Sequence, residues 1–146
     1  MGIVITTGTF DDLKETVELD KIIFDKAKTP EQIRQKLSLY KNPHITLARV
    51  DDTLAGYGIG YEEKGKFYFW MLGVLPEYRE QGLGQRIIEE QMEFAKKSGY
   101  EVFFLKTSNR WKSMLRLTLK LGFDITGFKI NEWGSHSAIW LEKTLT

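Results

Sequence analysis

Apolar and polar positions change period repeatedly along the chain, and each change marks an element. IVITTG, Ile3 to Gly8, alternates as a short strand does. In TFDDLKETVELDKIIFDKAK, Phe10, Leu13, Val17, Ile22 and Ile23 then recur at helical spacing behind Thr9, a residue type suited to a helix cap. Pro30 fits the first turn of a second helix, PEQIRQKLSLY. HITLARV and TLAGYGIGY read as two strands around a tight turn at Asp51-Asp52, and Gly65 closes another turn before the aromatic strand KFYFWMLGVL. A helix from about Gly82 to Lys97, the strand EVFFLKT and a helix from about Arg110 to Leu121 follow. Strands near Phe123 to Ile130 and Ser137 to Lys143 finish the chain. The order β-α-α-β-β-β-α-β-α-β-β predicts a mixed α/β layer architecture, and with no repeat, linker or low-complexity segment, residues 1–146 read as one domain.

Composition narrows the chemistry. Twenty-one basic and twenty acidic residues leave a net charge of +1, so no global field points to nucleic acid or to a membrane surface. The absence of cysteine excludes a disulfide scaffold, thiolate metal sites and a covalent cysteine intermediate. No apolar run approaches the roughly 20 residues of a membrane span, and MGIVITTGTFDDL lacks the pattern of a signal peptide, so a cytoplasmic location is expected.

The stretch LGVLPEYREQGLGQRI sets Gly82 and Gly84 at the start of a long helix, where glycine is a poor choice by about 1 kcal/mol against alanine. A helix start presents unpaired N–H groups and the positive end of the dipole, and glycine lets an anion approach that backbone closely. Acidic residues are missing from GLGQR, the next being Glu89 and Glu90, while Arg79 and Arg86 flank the turn. The alternative is a turn that only lets the chain pass from strand to helix. The dinucleotide fingerprint fails, because Ile87 holds its third glycine position and no acid lies near position 104, and a P-loop fails for want of G-K-[ST]. GYGIG puts Gly56, Gly58 and Gly60 on one strand face, a pattern that suits tight packing better than a ligand loop.

GVLPEYREQGLGQRIIEEQMEFAKKSG resembles the acetyl-CoA signature of the GNAT superfamily of N-acetyltransferases, with its [RQ]-x-x-G-x-[GA] core at Arg79, Gly82 and Gly84. V-x-P-x-Y-R before it, KLGF after it and the terminal IWLEKTL extend the resemblance over nearly the whole chain. The resemblance implies a GNAT-type mixed central sheet flanked by helices and direct acetyl transfer from acetyl-CoA, as co-substrate, to a primary amine. It implies that main-chain groups of Leu72, Gly73 and Val74 pair with the pantetheine arm as an added strand would. Arg79, Glu80, Gln81, Gly82, Leu83, Gly84 and Gln85 would hold the pyrophosphate through main-chain N–H groups. The expected partner is a small-molecule or peptide amine, with no metal, no nucleic acid and no membrane, and with a homodimer open.

Attack on the thioester needs a neutral amine, so a proton acceptor is required. Glu62, Glu63, Glu132 and His136 are candidates, each also readable as a solvated turn or strand-end residue, and no catalytic residue is assigned. Thr118 stands where the family pattern L-Y-x-K-x-G-F has its tyrosine acid, and Trp111 where it has asparagine, Asn109 being nearby. A threonine hydroxyl is too weak an acid, and a CoA thiolate leaves well without one. His44 has no metal-ligand spacing and reads as a strand-end residue; Lys112, Arg116 and Lys120 read as a solvated stripe. Trp70, Trp133 and Trp140 read as core, with Trp133 beside Gly134 a possible lining of an acceptor pocket. Two other readings remain: a non-catalytic acyl-CoA-binding sensor or partner module of the same fold, and a nucleotide-binding module using the same turn.

Overall fold

The computed structural model describes residues 2–133 and 136–146, with only the backbone of Trp133 and His136. The strands are β1 (Ile3–Gly8), β2 (Lys41–Val50), β3 (Thr53–Glu63), β4 (Lys66–Val74), β5 (Val102–Ser108), β6 (Asp124–Trp133) and β7 (His136–Thr144). The helices are α1 (Leu13–Ile23), α2 (Pro30–Ser38), α3 (Leu83–Lys97) and α4 (Lys112–Lys120). The predicted order of elements is the observed one. All seven strands form one sheet, in the order β1-β2-β3-β4-β5-β7-β6. Every neighbouring pair is antiparallel except β4 and β5. A parallel pair needs a crossover, and α3 supplies it.

Local chemistry starts and stops the helices. Thr9 caps a single 3-10 turn, Phe10–Asp12, that leads into α1, with the Asp12 carboxylate accepting from the Thr9 N–H. Thr29 and Gln32 form the same reciprocal cap on α2, and Pro30 occupies its first turn. The helical spacing of apolar residues predicts a longer α1, but Phe24 turns extended (φ −121°, ψ 143°) and Ile22 is solvent-exposed. At the β2–β3 turn Asp51 and Asp52 both take the left-handed conformation (φ 48° and 71°), as a two-residue hairpin turn requires.

Alternation in β3 divides the molecule into two layers. Tyr57, Ile59 and Tyr61 face α1 and α2, where they join Leu13, Val17, Ile33 and Leu37 in one buried cluster. The opposite face, with Phe67, Phe69, Phe103 and Leu105, packs against Leu83, Ile87, Ile88 and Ala95 of α3. The glycines of β3 lie under α3 because nothing larger fits. A Cβ at Gly58 would come within 2.5 Å of Ile87 Cγ2. This is the tight packing the sequence pattern suggests. Among the described residues no helix is long and apolar enough to cross a membrane.

Candidate functional site

The parallel join between β4 and β5 is short. Its ladder runs only over Phe67–Phe69 against Phe103–Leu105, although β4 continues to Val74 and β5 to Ser108. The break coincides with a bulge. Against β3, Gly60 pairs with Phe69 and Ile59 with Met71, which leaves Trp70 as the extra residue. Beyond it the two strands flank a slot whose edges carry main-chain groups outside any ladder, the arrangement an extended ligand can enter as a strand. Leu72, Gly73 and Val74 all lie along this edge. They are not equivalent. The Val74 carbonyl already accepts from Arg79 Nε (3.2 Å), and Gly73 is held against Tyr57, whose Cε1 a Cβ there would approach to 2.5 Å.

At the mouth of the slot the chain makes a 3-10 turn, Pro76–Tyr78, and then enters α3. Arg79, Glu80, Gln81 and Gly82 are exposed in this connection, and Glu80 and Gly82 take positive φ (68° and 79°). A non-glycine residue held in that conformation is uncommon and marks backbone set by its surroundings. Gly82 is the cap of α3 and not part of its first turn, so the helix penalty expected at two glycines falls on Gly84 alone. Gly82 needs glycine for its φ. Gly84 does not: it is helical, and a Cβ there would meet only Leu117 Cδ2, at an ordinary 3.8 Å. No side chain caps α3 and no acid stands in its first turn, so its free N–H groups and dipole have no anionic partner of their own. Of the other predicted residues, Leu83 is an anchor buried in the core, Gln85 is half-buried, and the Gln81 amide donates to the Glu77 carbonyl (3.4 Å).

On the α1/α2 face a pocket of about 400 Å³ opens beside the bulge, lined by Lys28, Lys36, Tyr61, Glu63, Tyr68, Trp70 and Lys106. Trp70 and Lys106 each sit one residue beyond the last ladder pair, Phe69 and Leu105, so pocket and slot share a border. The Lys106 ammonium lies 5.0 Å from the Trp140 ring centre and 5.6 Å from that of Tyr68. Lys28 and Lys36 lie over Trp70 at 5.7 and 5.9 Å. Tyrosine is a neutral O–H donor at pH 7, and burial, with the nearby Glu63 adding to it, pushes the Tyr61 and Tyr68 phenols further above the usual range.

The candidate proton acceptors separate cleanly. Glu63 lines the pocket. Glu62, its neighbour, accepts from Tyr100 Oη (2.7 Å) near α3, and Glu132 pairs with Lys129 (3.6 Å) on β6. The side chains of His136 and Trp133, and Gly134, lie outside the described residues. His44 is not a strand-end residue but a buried one inside β2, where its Nε2 donates to the Glu90 carboxylate (2.8 Å) and its ring stacks on Phe94. The buried Thr118 hydroxyl donates back to the Met114 and Leu115 carbonyls (both 3.0 Å) and so is engaged within its own helix. Sequence reasoning missed Lys28, Lys36 and Lys106 entirely and read Trp70 as core, whereas it is half-buried in the pocket wall.

A family model described as the acetyltransferase (GNAT) family matches residues 10–123. The ribosomal-protein-S18-alanine N-acetyltransferase of Escherichia coli shares the fold with a TM-score of 0.89 at 16% identity, over 99% of this chain and 95% of that one. Ard1 of Thermoplasma volcanium gives a TM-score of 0.87 at 15% identity, over 100% and 99%. For yncA of Salmonella typhimurium, solved with its cofactor acetyl-CoA, the TM-score is 0.78 at 15% identity, over 100% and 95%. No curated protein matches the sequence.

Proposed function

The chain belongs to the GNAT acetyltransferase family, and from that premise we propose that it transfers the acetyl group of acetyl-CoA directly to a primary amine. The observation that carries this reading is a slot between β4 and β5 that borders the pocket at Trp70, with β4 running on through the Pro76–Tyr78 turn into the uncapped start of α3. Their chemistry fits the cofactor part by part. A pantetheine arm carries amides that can complete a strand edge, and a pyrophosphate suits free helical N–H groups behind glycine. The presence of acetyl-CoA in the Salmonella protein of the same fold supports the choice of ligand.

In this reading Leu72 and Gly73 hold the extended arm through their main chain, while Arg79, occupied with Val74, fixes the end of β4. The N–H groups around Gly82, Leu83, Gly84 and Gln85 receive the pyrophosphate, and the bare Gly84 surface lets it approach. The acceptor amine lies in the pocket next to Trp70. Its nitrogen bonds to the acetyl carbon, the carbon–sulfur bond breaks, and the electron pair leaves with CoA sulfur. The amine proton goes to Glu63, directly or through water, since Glu63 is the carboxylate of the pocket. The thiolate leaves without a dedicated acid, because Thr118 is tied to its own helix.

The engaged Thr118 hydroxyl is also what favours the second reading, a module that binds acyl-CoA without turnover. Titration calorimetry with acetyl-CoA, followed by a CoA-release assay with an amine library, tests both. Binding with release supports the transferase, binding without release for any amine supports the module, and no binding overturns the shared premise of the site.

A further inference from the structure

Resting on the transferase reading, we propose that the acceptor amine carries an anionic group of its own, a carboxylate or a phosphate, which the pocket lysines hold. Lys28 comes from the α1–α2 connection, Lys36 from α2 and Lys106 from β5, so three separate elements bring ammonium groups to one cavity. Against these three cations the pocket sets one carboxylate, Glu63. The local surplus does not reflect a basic protein, whose net charge is only +1. Among the described residues, none of the three lysines has an ion-pair partner within 4 Å, a state shared by most lysines of the chain; what sets these three apart is that they converge on one cavity.

Aromatic rings hold the Lys36 and Lys106 ammonium groups in place of counter-ions, while Lys28, over Trp70, also acts electrostatically on the Asp20 carboxyl. Lys106 is set between Trp140 and Tyr68, and Lys36 between Tyr40 (5.4 Å) and Trp70. A ring face attracts a cation but does not neutralise it, and it removes water that would otherwise screen the charge. The neutral phenols of Tyr61 and Tyr68 line the same wall as hydrogen-bond donors. Donors and cations around one space are complementary to acceptor oxygens. The separate carboxylate of Glu63 is complementary to an ammonium. A ligand matching both has an amine and an anion in one small molecule, and about 400 Å³ is a small-molecule volume.

The experiment compares paired acceptors that differ in an anionic group: β-alanine with its amide, which lacks one negative charge, and phosphoethanolamine with ethanolamine, which lacks a phosphate of about −1.5 to −2 at pH 7. CoA release is measured at saturating acetyl-CoA, and acetyl-CoA binding is checked independently by calorimetry. The expected result is a kcat/KM at least about tenfold higher for the charged member of a pair, falling as salt rises. Lys106→Gln and Lys36→Gln should each shrink that ratio severalfold, and Lys106→Arg should restore most of it. Equal or better use of the uncharged members, or variants that leave the ratio unchanged, would overturn the inference while leaving the transferase reading intact. If no pair is turned over, β-alanine and phosphoethanolamine are titrated into the acetyl-CoA-loaded protein. Binding stronger than that of their uncharged partners, and weakened by Lys106→Gln, then supports the anion site; equal binding refutes it.

Discussion

Two polar clusters lie on opposite faces of the sheet, and they treat charge in opposite ways. Under α3, Glu90 accepts from His44 and Thr46, while the Gln91 amide donates to Thr46 Oγ1 (2.8 Å) and to the carbonyls of His44 and Gly58. On the α1/α2 face, Lys28, Lys36, Lys106 and Glu63 share a pocket with no ion pair among them within 4 Å. The first cluster finds its partners within the chain, as buried polar groups must if they are not to destabilise it, except at Gln91 Oε1, which is buried without one. The second is set up for a partner from outside. The same residue types therefore read as structure or as function according to where their hydrogen bonds go.

The largest effect should come from Glu63→Gln, which removes the pocket carboxylate while keeping its shape. Turnover is expected to drop by about 10²–10⁴, the range for losing a general base, with little change in melting temperature. A variant that melts earlier but turns over normally would put Glu63 in the structural class instead. Glu90→Gln is the mirror experiment. It should lower the free energy of unfolding by about 1.5–3 kcal/mol, the scale of hydrogen bonds to a charged group, with turnover unchanged. Its pH dependence follows from the same contacts. Burial pushes the Glu90 carboxyl up, but hydrogen bonds from His44 and Thr46 and the charges of His44 and Lys97 outweigh it, and the net shift is downward. The stabilisation is thus present above the ordinary value of 4.5 and is lost as pH falls through the lowered folded value. Acid unfolding followed by circular dichroism should show wild type and variant converging below that range.

A smaller change is expected at the helix start. Gly84→Val should weaken acetyl-CoA binding about tenfold by calorimetry, while the fold persists, since the site has room for a Cβ and valine suits a helix no worse than glycine. Unchanged affinity would remove the phosphate from that turn. The smallest is Thr118→Ala, which loses a back-bond worth on the order of 1 kcal/mol and should keep turnover within about tenfold of wild type. A thousandfold loss in a folded variant would give Thr118 the acid role denied to it here.

The order of elements, the Thr9 cap and the start of α2 were legible in the sequence because period, Thr9 and Pro30 act over a few residues, whereas the reciprocal cap of Thr29 and Gln32 was seen only in the structure. The slot itself was not read from the sequence, where the family resemblance implied only that Leu72, Gly73 and Val74 pair with an extended ligand, since its physical cause is the bulge at Trp70. KFYFWMLGV shows no proline, and no glycine at the bulge itself, so the bulge arises from pairing with β3. The pocket was hidden for a related reason: its lysines are far apart in the chain and meet only across three elements. Glu63 could be named as a candidate but not told from Glu62. Adjacent strand residues point to opposite faces, and only the tertiary structure shows which faces α3 and Tyr100.

Three residue pairs are all that stitch β4 to β5, in a sheet whose other joins are mostly longer. The amides of β4 beyond Phe69 that face β5 therefore have no ladder to shelter them, and their exchange with solvent deuterium should be governed by local access and not by global unfolding. The β3-facing amides of the same strand stay paired through Val74 and should exchange far more slowly. One strand thus carries two clocks on its two edges. An extended ligand seated in the slot would slow the fast one, which turns this edge into a reporter of occupancy that needs neither chemistry nor a known acceptor.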